Sequence, residues 1–326
     1  MCEDIINGLL FNNRYYIPSE ILSLILSNVD VKTLYKHCTL VCKLWNAIIK
    51  ECVCKIKCEQ ELTKDHENKY KLQWLREKQY PYYVYQIICV SNKSFYKNLI
   101  RNPCGMERFN YWILDTERRM NNFTIEDCTL FDNNICKIDD ELISSNVTKC
   151  FTIRNCELGG RLQIIDLYKY GLTQQFIDEY QPPIYVSEWY GCRRDNITCI
   201  YILYAILLDA NYEEMDSCNC YYSFHGNNDR GRFGSFQKVQ HIFKDYGKNV
   251  RYVYFYSWGR GSTSDSEGWW NRYCGPKFTN ANVQLFYPND THLDKEIDEY
   301  SQESYHEGCL NHCKLLYNEY IPNYWG

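Results

Sequence analysis

The sequence predicts a multidomain α+β protein in which short N-terminal helices and a helical connector precede a C-terminal antiparallel β-sandwich or barrel. Two patterns carry this prediction. Apolar residues recur at helical spacing between Ile17 and Ile48, whereas from about residue 150 they form short runs separated by Gly-, Pro-, Asn- and Asp-rich turns. The chain has 326 residues, 45% hydrophobic and 24% charged, which suits a globular protein of one to three domains.

The N-terminal segment is predicted to form three short helices. Pro18 suits a helix start because its missing N–H would have no partner there, and Asp30 can cap the second helix. Three helices of about ten residues hold only a small core, so an apolar face is left over. That face either packs on the rest of the chain or binds a partner. The positions that define the pattern are Ile21, Leu22, Ile25, Leu26, Leu34, Val41, Trp45 and Ile48.

The polar stretch from Lys55 to Lys78 is predicted to be a helical connector, and the run from Tyr82 to Ile88 fits either a strand or the end of that connector. One helical turn is expected at Thr173 to Tyr180. The acidic tail from about residue 289 is expected either to form a helix around Asp294 to Leu316 or to remain mobile. Predicted strands lie at Phe151–Arg154, Leu162–Leu167, Ile184–Tyr190, Cys199–Tyr204, Phe236–Phe243, Val250–Trp258 and Phe278–Phe286.

Charge and cysteine content limit the possible functions. A net charge of -5 argues against a general nucleic-acid binder. No apolar stretch is long enough to span a membrane, and the N-terminus lacks the basic start of a signal peptide. The 19 cysteines are scattered and show no paired Cys-x-x-Cys spacing, so we expect no metal site and no cofactor. We therefore expect a cytoplasmic protein with reduced thiols.

Residues 14–58 resemble the F-box. The resemblance rests on the Pro-x-Glu-hydrophobic-hydrophobic start at Pro18 and the Val-Cys-x-x-Trp end at Val41 to Trp45. It implies docking on the Skp-type adaptor of a cullin-RING (SCF-type) ubiquitin ligase. The residues expected at the adaptor are Ile17, Pro18, Ile21, Leu22, Ile25, Leu34, Val41 and Trp45.

Residues 95–288 resemble the F-box-associated domain of the sugar-recognising F-box proteins, behind a linker at 59–94 and before the tail at 289–326. The longest match is the run from Gln181 to Tyr190, and others occur at Asn98–Gly105, Ile165–Leu167, Phe243–Gly247 and Gly275–Asn280. The resemblance implies a ten-stranded antiparallel β-sandwich of jelly-roll, galactose-binding-like type. It also implies a substrate receptor that binds the chitobiose core of N-linked high-mannose glycans on misfolded glycoproteins, within ER-associated degradation.

Two loops of this domain are the candidate glycan site. Trp269, Trp270 and Asn271 align with the family's Tyr-Trp-Lys sugar contact, and Asp195 aligns with an acidic contact. An aromatic face and a carboxylate are the groups that sugar binding requires. If the loop is extended, Trp269 and Trp270 point to opposite sides, and the alignment selects Trp270 for stacking. The plainer alternatives are that the tryptophans anchor the loop and that Asp195 caps a turn.

Three functional hypotheses follow from the sequence. The first is a ubiquitin-ligase receptor for N-glycosylated clients, and the second is the same scaffold recognising a protein degron without glycan. The third is a carbohydrate-active enzyme. A glycosidase needs two carboxylates across one site, and Asp195 has no evident partner near Trp270, so we expect no catalytic residues. Asn271 replaces the family's Lys, which removes a charged donor but leaves an amide that can donate.

Overall fold

The structure is a computed structural model. It describes residues 9–11, 15–63, 75, 80–91, 94–115, 123–127, 145–154, 158–192, 196–225, 234–263 and 274–288.

The N-terminal domain consists of short helices, as predicted. Helix α1 (Ser19–Ser27) begins directly after Pro18, and the Asp30 carboxylate accepts a hydrogen bond of 2.9 Å from the Thr33 amide at the start of α2. A two-stranded ribbon precedes α1. The elements are β1 (Leu10–Phe11), β2 (Tyr15–Tyr16), α1, α2 (Val31–Lys36), a 3₁₀ turn (Cys38–Leu40) and α3 (Lys43–Ile48).

Helix α3 continues through a π turn into α4 (Cys54–Thr63), and α5 (Tyr82–Ser91) packs against α4. The Cys58 thiol of α4 donates a hydrogen bond of 3.1 Å to the Tyr85 carbonyl of α5. The strand interpretation of Tyr82 to Ile88 is therefore wrong, and the helical alternative is correct. Val84 and Ile88, one helical turn apart, are both buried.

The C-terminal domain is a β-sandwich of two five-stranded antiparallel sheets, which confirms the predicted fold class. The first sheet has the order β10-β7-β12-β5-β4, and the second has the order β3-β6-β11-β8-β9. Helix α6 (Gln174–Tyr180) connects β6 to β7. The strands are β3 (Ile113–Asp115), β4 (Phe123–Asp127), β5 (Lys149–Arg154), β6 (Leu158–Asp166), β7 (Ile184–Gly191), β8 (Asn196–Leu208), β9 (Glu214–His225), β10 (Phe236–Phe243), β11 (Tyr252–Thr263) and β12 (Cys274–Leu285).

All seven predicted strands are present, although β6, β8, β11 and β12 are longer than predicted. Strands β3, β4 and β9 were not predicted. The helix expected around Asp294 to Leu316 lies outside the described residues. One apolar core runs from the helical domain through α5 into the space between the two sheets, so the described helices and the sandwich pack as one body.

Candidate functional site: the loop end of the sandwich and an exposed apolar surface

The strand ends that flank the two predicted glycan loops lie side by side. The interval 193–195 follows β7 and precedes β8, and the interval 264–273 follows β11 and precedes β12. Thr263, the last residue of β11, pairs with Asn196, the first residue of β8. Asp195, Trp269, Trp270 and Asn271 themselves lie outside the described residues. This pairing nevertheless places one end of each loop at neighbouring residues of the second sheet.

Three further connections leave the sandwich at the same end. The intervals 116–122, 155–157 and 226–233 join β3 to β4, β5 to β6 and β9 to β10. Their flanks are tied together by the pairs Arg154–Cys274 and Phe236–Gly191. We call this end of the sandwich the loop end.

The helical linker meets the opposite end of the sandwich. Phe95 stacks on Tyr287 with ring centroids 4.2 Å apart, and Tyr83 of α5 donates a hydrogen bond to Glu179 of α6. Strand β7 runs from this linker end at Ile184 to the loop end at Gly191, a span of about 25 Å for eight residues in extended conformation. The loop end is therefore separated from the helical domain by the length of the sandwich.

A disulfide crosses the sandwich at the loop end. Cys192 follows β7 of the first sheet, Cys199 lies in β8 of the second, and their Cα atoms are 6.2 Å apart. This separation falls within the range that a disulfide spans, so the expectation of uniformly reduced thiols is wrong for this pair. The Cys192 carbonyl also accepts a hydrogen bond of 2.7 Å from the Gly234 amide, which fixes the end of the 226–233 connection. The bridge encloses position 195.

Glycine allows the two strands on either side of the 264–273 loop to approach each other across the sheets. A Cβ atom added to Gly259 of β11 would overlap Pro276 of β12 and lie 2.9 Å from the Ile153 side chain. One added to Gly275 would lie 2.9 Å from Ile153 Cβ. Real Cβ atoms do not make such contacts, so only glycine fits here. The two strands that flank the loop carrying Trp270 are therefore closely packed against each other.

The helical domain carries an exposed apolar surface, which we define by Tyr16, Ile21, Leu24, Ile25, Leu40 and Val41. Among the described residues, nine large apolar side chains are exposed, and these six are among them. Ile21 and Ile25 are 48% and 51% exposed, and Val41 is 58% exposed. Exposed apolar patches on a folded surface are typical of interaction sites.

The predicted adaptor residues separate into three groups by exposure. Pro18, Ile21, Ile25 and Val41 are exposed, whereas Leu22 and Leu34 are buried. The two leucines lie in the core beneath α1 and α2, so they offer little contact surface, and their adaptor role stays a prediction.

The remaining two, Ile17 and Trp45, are half-buried at the edge of that core. Val41 also lies before α3 rather than within it, as does Leu40. Sequence reasoning missed Tyr16, Leu24 and Leu40, because helical periodicity alone does not reveal which apolar face is covered.

Comparison with protein-family models shows which family the chain belongs to. A model described as F-box-like matches residues 15–54, and a model described as F-box associated region matches residues 90–285, which is more than half of the chain. The chain belongs to the F-box associated family. It is 27% identical to F-box only protein 2 of Bos taurus over 271 residues, covering 82% of each protein.

F-box only protein 27 of Mus musculus is 27% identical over 275 residues, covering 82% of this chain and 89% of that one. A solved structure of TmCBM61 in complex with beta-1,4-galactotriose is similar at a TM-score of 0.34 and 10% identity, covering 59% of this chain and 99% of that one. An F-box followed by an F-box associated region is the arrangement of a substrate receptor in an SCF-type ubiquitin ligase, in which the F-box holds the adaptor.

In this member of the F-box associated family, a buried polar network ties the sheets together behind the loop end. Arg161 of β6 forms an ion pair with Glu188 of β7, and both side chains are fully buried. Glu188 also accepts hydrogen bonds of 2.6 Å from the Tyr201 hydroxyl and 3.4 Å from the Ser257 hydroxyl. The Arg161 guanidinium lies between the rings of Trp112 and Phe151, at 3.9 and 3.6 Å from their centroids.

Burial raises the pKa of Glu188 and lowers the pKa of Arg161, while the attraction between the two charges opposes both shifts. The attraction between the two charges thus offsets part of the cost of burying each of them. Sequence reasoning missed this network, although an acid within the buried run of β7 was a possible signal.

Tyr190, an aromatic residue near the loop end, is a buried support rather than a binding surface. Tyr190 stacks on Tyr201 with ring centroids 4.3 Å apart, and its hydroxyl lies 2.7 Å from that of Tyr222. Tyr190 is only 2% exposed, so it cannot stack on a ligand. In the described part of the chain, no group of three or more His, Cys, Asp or Glu side chains could hold a metal ion. No described helix has the length and apolar character needed to cross a bilayer.

Proposed function

We propose that this chain is a non-catalytic substrate receptor whose loop end binds the chitobiose core of N-linked high-mannose glycans on misfolded glycoproteins. In this role it delivers cytoplasmic clients for ubiquitination within ER-associated degradation. The observation that carries the proposal is the pairing of Thr263 with Asn196, because it starts the Trp270 loop and the Asp195 loop from adjacent positions. A stacking ring and a carboxylate can then approach one sugar from two sides.

The remote position of the linker also supports this proposal. A glycoprotein held at the loop end would lie about one sandwich length from the helical domain, so the client and the adaptor would not collide. The packed base at Gly259 and Gly275 and the Cys192–Cys199 bridge hold the strand ends in fixed positions. Fixed loop ends reduce the ordering cost of ligand binding.

The glycan half of the proposal is tested by binding of the adaptor-bound chain to a high-mannose glycoprotein before and after enzymatic removal of the sugar. We expect binding only to the glycosylated form, and we expect its loss in Trp270→Ala. Trp269→Ala is the matched control, because an extended loop directs this neighbour to the other side. Binding that ignores deglycosylation would refute glycan recognition and favour a protein degron. Normal binding by Trp270→Ala would refute the role of Trp270.

We propose that the exposed apolar surface of the helical domain, with Pro18, docks on the Skp-type adaptor and through it on the cullin-RING ligase. Solvent-exposed apolar side chains support this proposal, and they include Ile21, Ile25 and Val41. Ile21→Asp places a charge in the dry centre of such an interface, so we expect adaptor capture to fall by at least tenfold. Met106→Asp is the matched control, because Met106 is 59% exposed in the other domain. Unchanged capture by a folded Ile21→Asp chain would contradict the proposal.

A further inference from the structure

Two free thiols meet at the contact between α4 and α5. Cys58 of α4 and Cys89 of α5 lie 31 positions apart in the sequence, yet their sulfur atoms are 3.2 Å apart. Neither belongs to the Cys192–Cys199 bridge. A disulfide bond is about 2 Å long, so an approach of about 1 Å brings the two sulfurs to bonding distance.

The surroundings of Cys58 direct its sulfur towards this partner. The side chain is 1% exposed, and its thiol donates the hydrogen bond of 3.1 Å to the Tyr85 carbonyl. With its hydrogen on that side, the sulfur keeps its lone pairs for Cys89. The contact with Cys89 and burial both raise the pKa of Cys58 well above its usual range. Cys58 therefore stays a thiol, and it is not the group that a dissolved oxidant attacks first.

Cys89 is the accessible member of the pair. Its side chain is half-buried, whereas Cys54, one helical turn before Cys58, is buried and has its sulfur 2.6 Å from the Tyr35 hydroxyl. An oxidant that reaches this contact from solvent meets Cys89 first, with the Cys58 sulfur beside it. An accessible cysteine next to a second one that can resolve it is the arrangement found in oxidation-sensitive thiol pairs.

We propose that Cys58 and Cys89 are an oxidation site, at which hydrogen peroxide converts the two thiols into a reversible disulfide. The Cys89 thiolate attacks one peroxide oxygen and the O–O bond breaks, which leaves a sulfenic acid on Cys89 and a hydroxide that takes up the proton Cys89 released. The Cys58 sulfur then attacks the Cys89 sulfur, the S–O bond breaks, and the departing hydroxide leaves as water with the Cys58 proton. The thiol pair loses two electrons, and the peroxide is reduced to two water molecules.

The bond links two elements that have different neighbours. Helix α4 continues from α3 of the helical domain, whereas α5 contacts the sandwich through the hydrogen bond from Tyr83 to Glu179. A cross-link across 31 positions restricts the unfolded chain and thereby stabilises the folded one. Oxidation at this site therefore strengthens the helical linker, and a dithiol reductant reverses the effect.

Peptide mapping of the full chain bound to its adaptor tests the proposal. The reduced complex is treated with hydrogen peroxide, the remaining thiols are blocked with N-ethylmaleimide in denaturant, and trypsin digestion follows without reductant. Cys58 and Cys89 fall on the separate peptides 58–64 and 79–93, each with a single cysteine. We expect these peptides to be joined, at a mass two hydrogens below their sum, and to separate on addition of dithiothreitol. Cys58 that is still fully blocked by the maleimide when the exposed Cys52 is oxidised would overturn the proposal.

Matched variants test the pairing and its order of steps. Cys52→Ser removes a more exposed thiol just before α4, and we expect the joined peptides to form as in the native chain. Cys89→Ser should abolish them, whereas Cys58→Ser should leave a sulfenic acid on Cys89 that dimedone traps. A joined product that persists in Cys89→Ser, or a Cys58 that pairs mainly with a different cysteine, would refute the assignment.

Thermal unfolding provides a second measurement that needs only the native chain. We expect the peroxide-treated complex to unfold several degrees higher than the reduced complex, with the shift reversed by dithiothreitol. Part of any shift comes from the Cys192–Cys199 bridge, which still forms in Cys89→Ser, so the native chain should show the larger shift of the two. Equal shifts in the native chain and in Cys89→Ser would contradict a stabilising bond between α4 and α5.

Discussion

The Arg161–Glu188 ion pair leads to a large and specific prediction about stability. In Glu188→Ala, the fully buried guanidinium loses its carboxylate, and Tyr201 and Ser257 lose their acceptor. Removal of one partner of a buried pair costs about 3–5 kcal/mol, whereas replacement of both by apolar residues is often neutral. For a domain of about 200 residues, 1 kcal/mol shifts the unfolding temperature by about 2–4 °C. We therefore expect Glu188→Ala to unfold about 10 °C lower.

The assay is thermal and urea unfolding of the adaptor-bound chain, followed by circular dichroism in the β-sheet region. The double variant Glu188→Leu with Arg161→Met should recover most of the loss, so the two single changes should be strongly non-additive. Arg251→Met is the matched control, because the Arg251–Asp166 pair is 3.4 Å long with an Arg side chain 32% exposed, and such pairs contribute little. If Glu188→Ala costs less than about 1 kcal/mol, or if the double variant is simply additive, the reasoning is wrong.

Three further predictions concern the sandwich. Gly259→Ala forces the side chains of Pro276 and Ile153 away, so we expect the free energy of unfolding in urea titrations to fall by about 1–3 kcal/mol and glycan capture to weaken. Gly159→Ala should be milder, because its Cβ would meet its nearest atom at 3.3 Å. Equal effects of the two changes would contradict the close-approach argument. Burial lowers the pKa of His241 below 6.5, so its contribution to stability is complete above pH 6.5 and is lost as the pH falls through the folded-state pKa. His241→Gln should therefore flatten the acid side of the profile of stability against pH. An unchanged profile would exclude His241 as a cause of acid destabilisation. Cys192→Ser should lower the free energy of unfolding by about 2 kcal/mol under oxidising conditions. A reductant should lower the stability of the native chain by a similar amount and leave the variant unchanged. A reductant effect on the variant would contradict the assignment of the effect to the Cys192–Cys199 bridge.

The sequence predicted the strands that have alternating or continuous apolar character. It did not predict a strand whose composition is unfavourable and which forms because a neighbouring strand pairs with it. Strand β9 contains Asp216 and Asn219, residue types that are depleted in strands, and it forms because β8 offers an edge for pairing. The Tyr82 to Ile88 run was ambiguous because a short apolar run fits either period, and only its packing on α4 decides the outcome.

The candidate sites show a similar division. The F-box pattern identified the helices and Asp30 as a cap, but Leu22 and Leu34 could not be separated from Ile21 and Ile25 without knowing what covers each face. The Cys192–Cys199 pairing was not predictable among 19 cysteines, because connectivity depends on the crossing between two sheets. The ion pair at Arg161 depends on a contact between residues 27 positions apart, which no local pattern encodes.

The continuous core from α1 through α5 into the sandwich has a consequence for ubiquitin transfer. Phe95 packs on Phe176 and Tyr287, and Tyr80 packs on Tyr180, so the join between the two domains is a solid interface rather than a free hinge. A client held at one end would keep a set distance and direction from the ligase at the other. Only acceptor lysines within that fixed radius would be modified, so client selection would depend on where a lysine lies relative to the recognised group as well as on recognition itself.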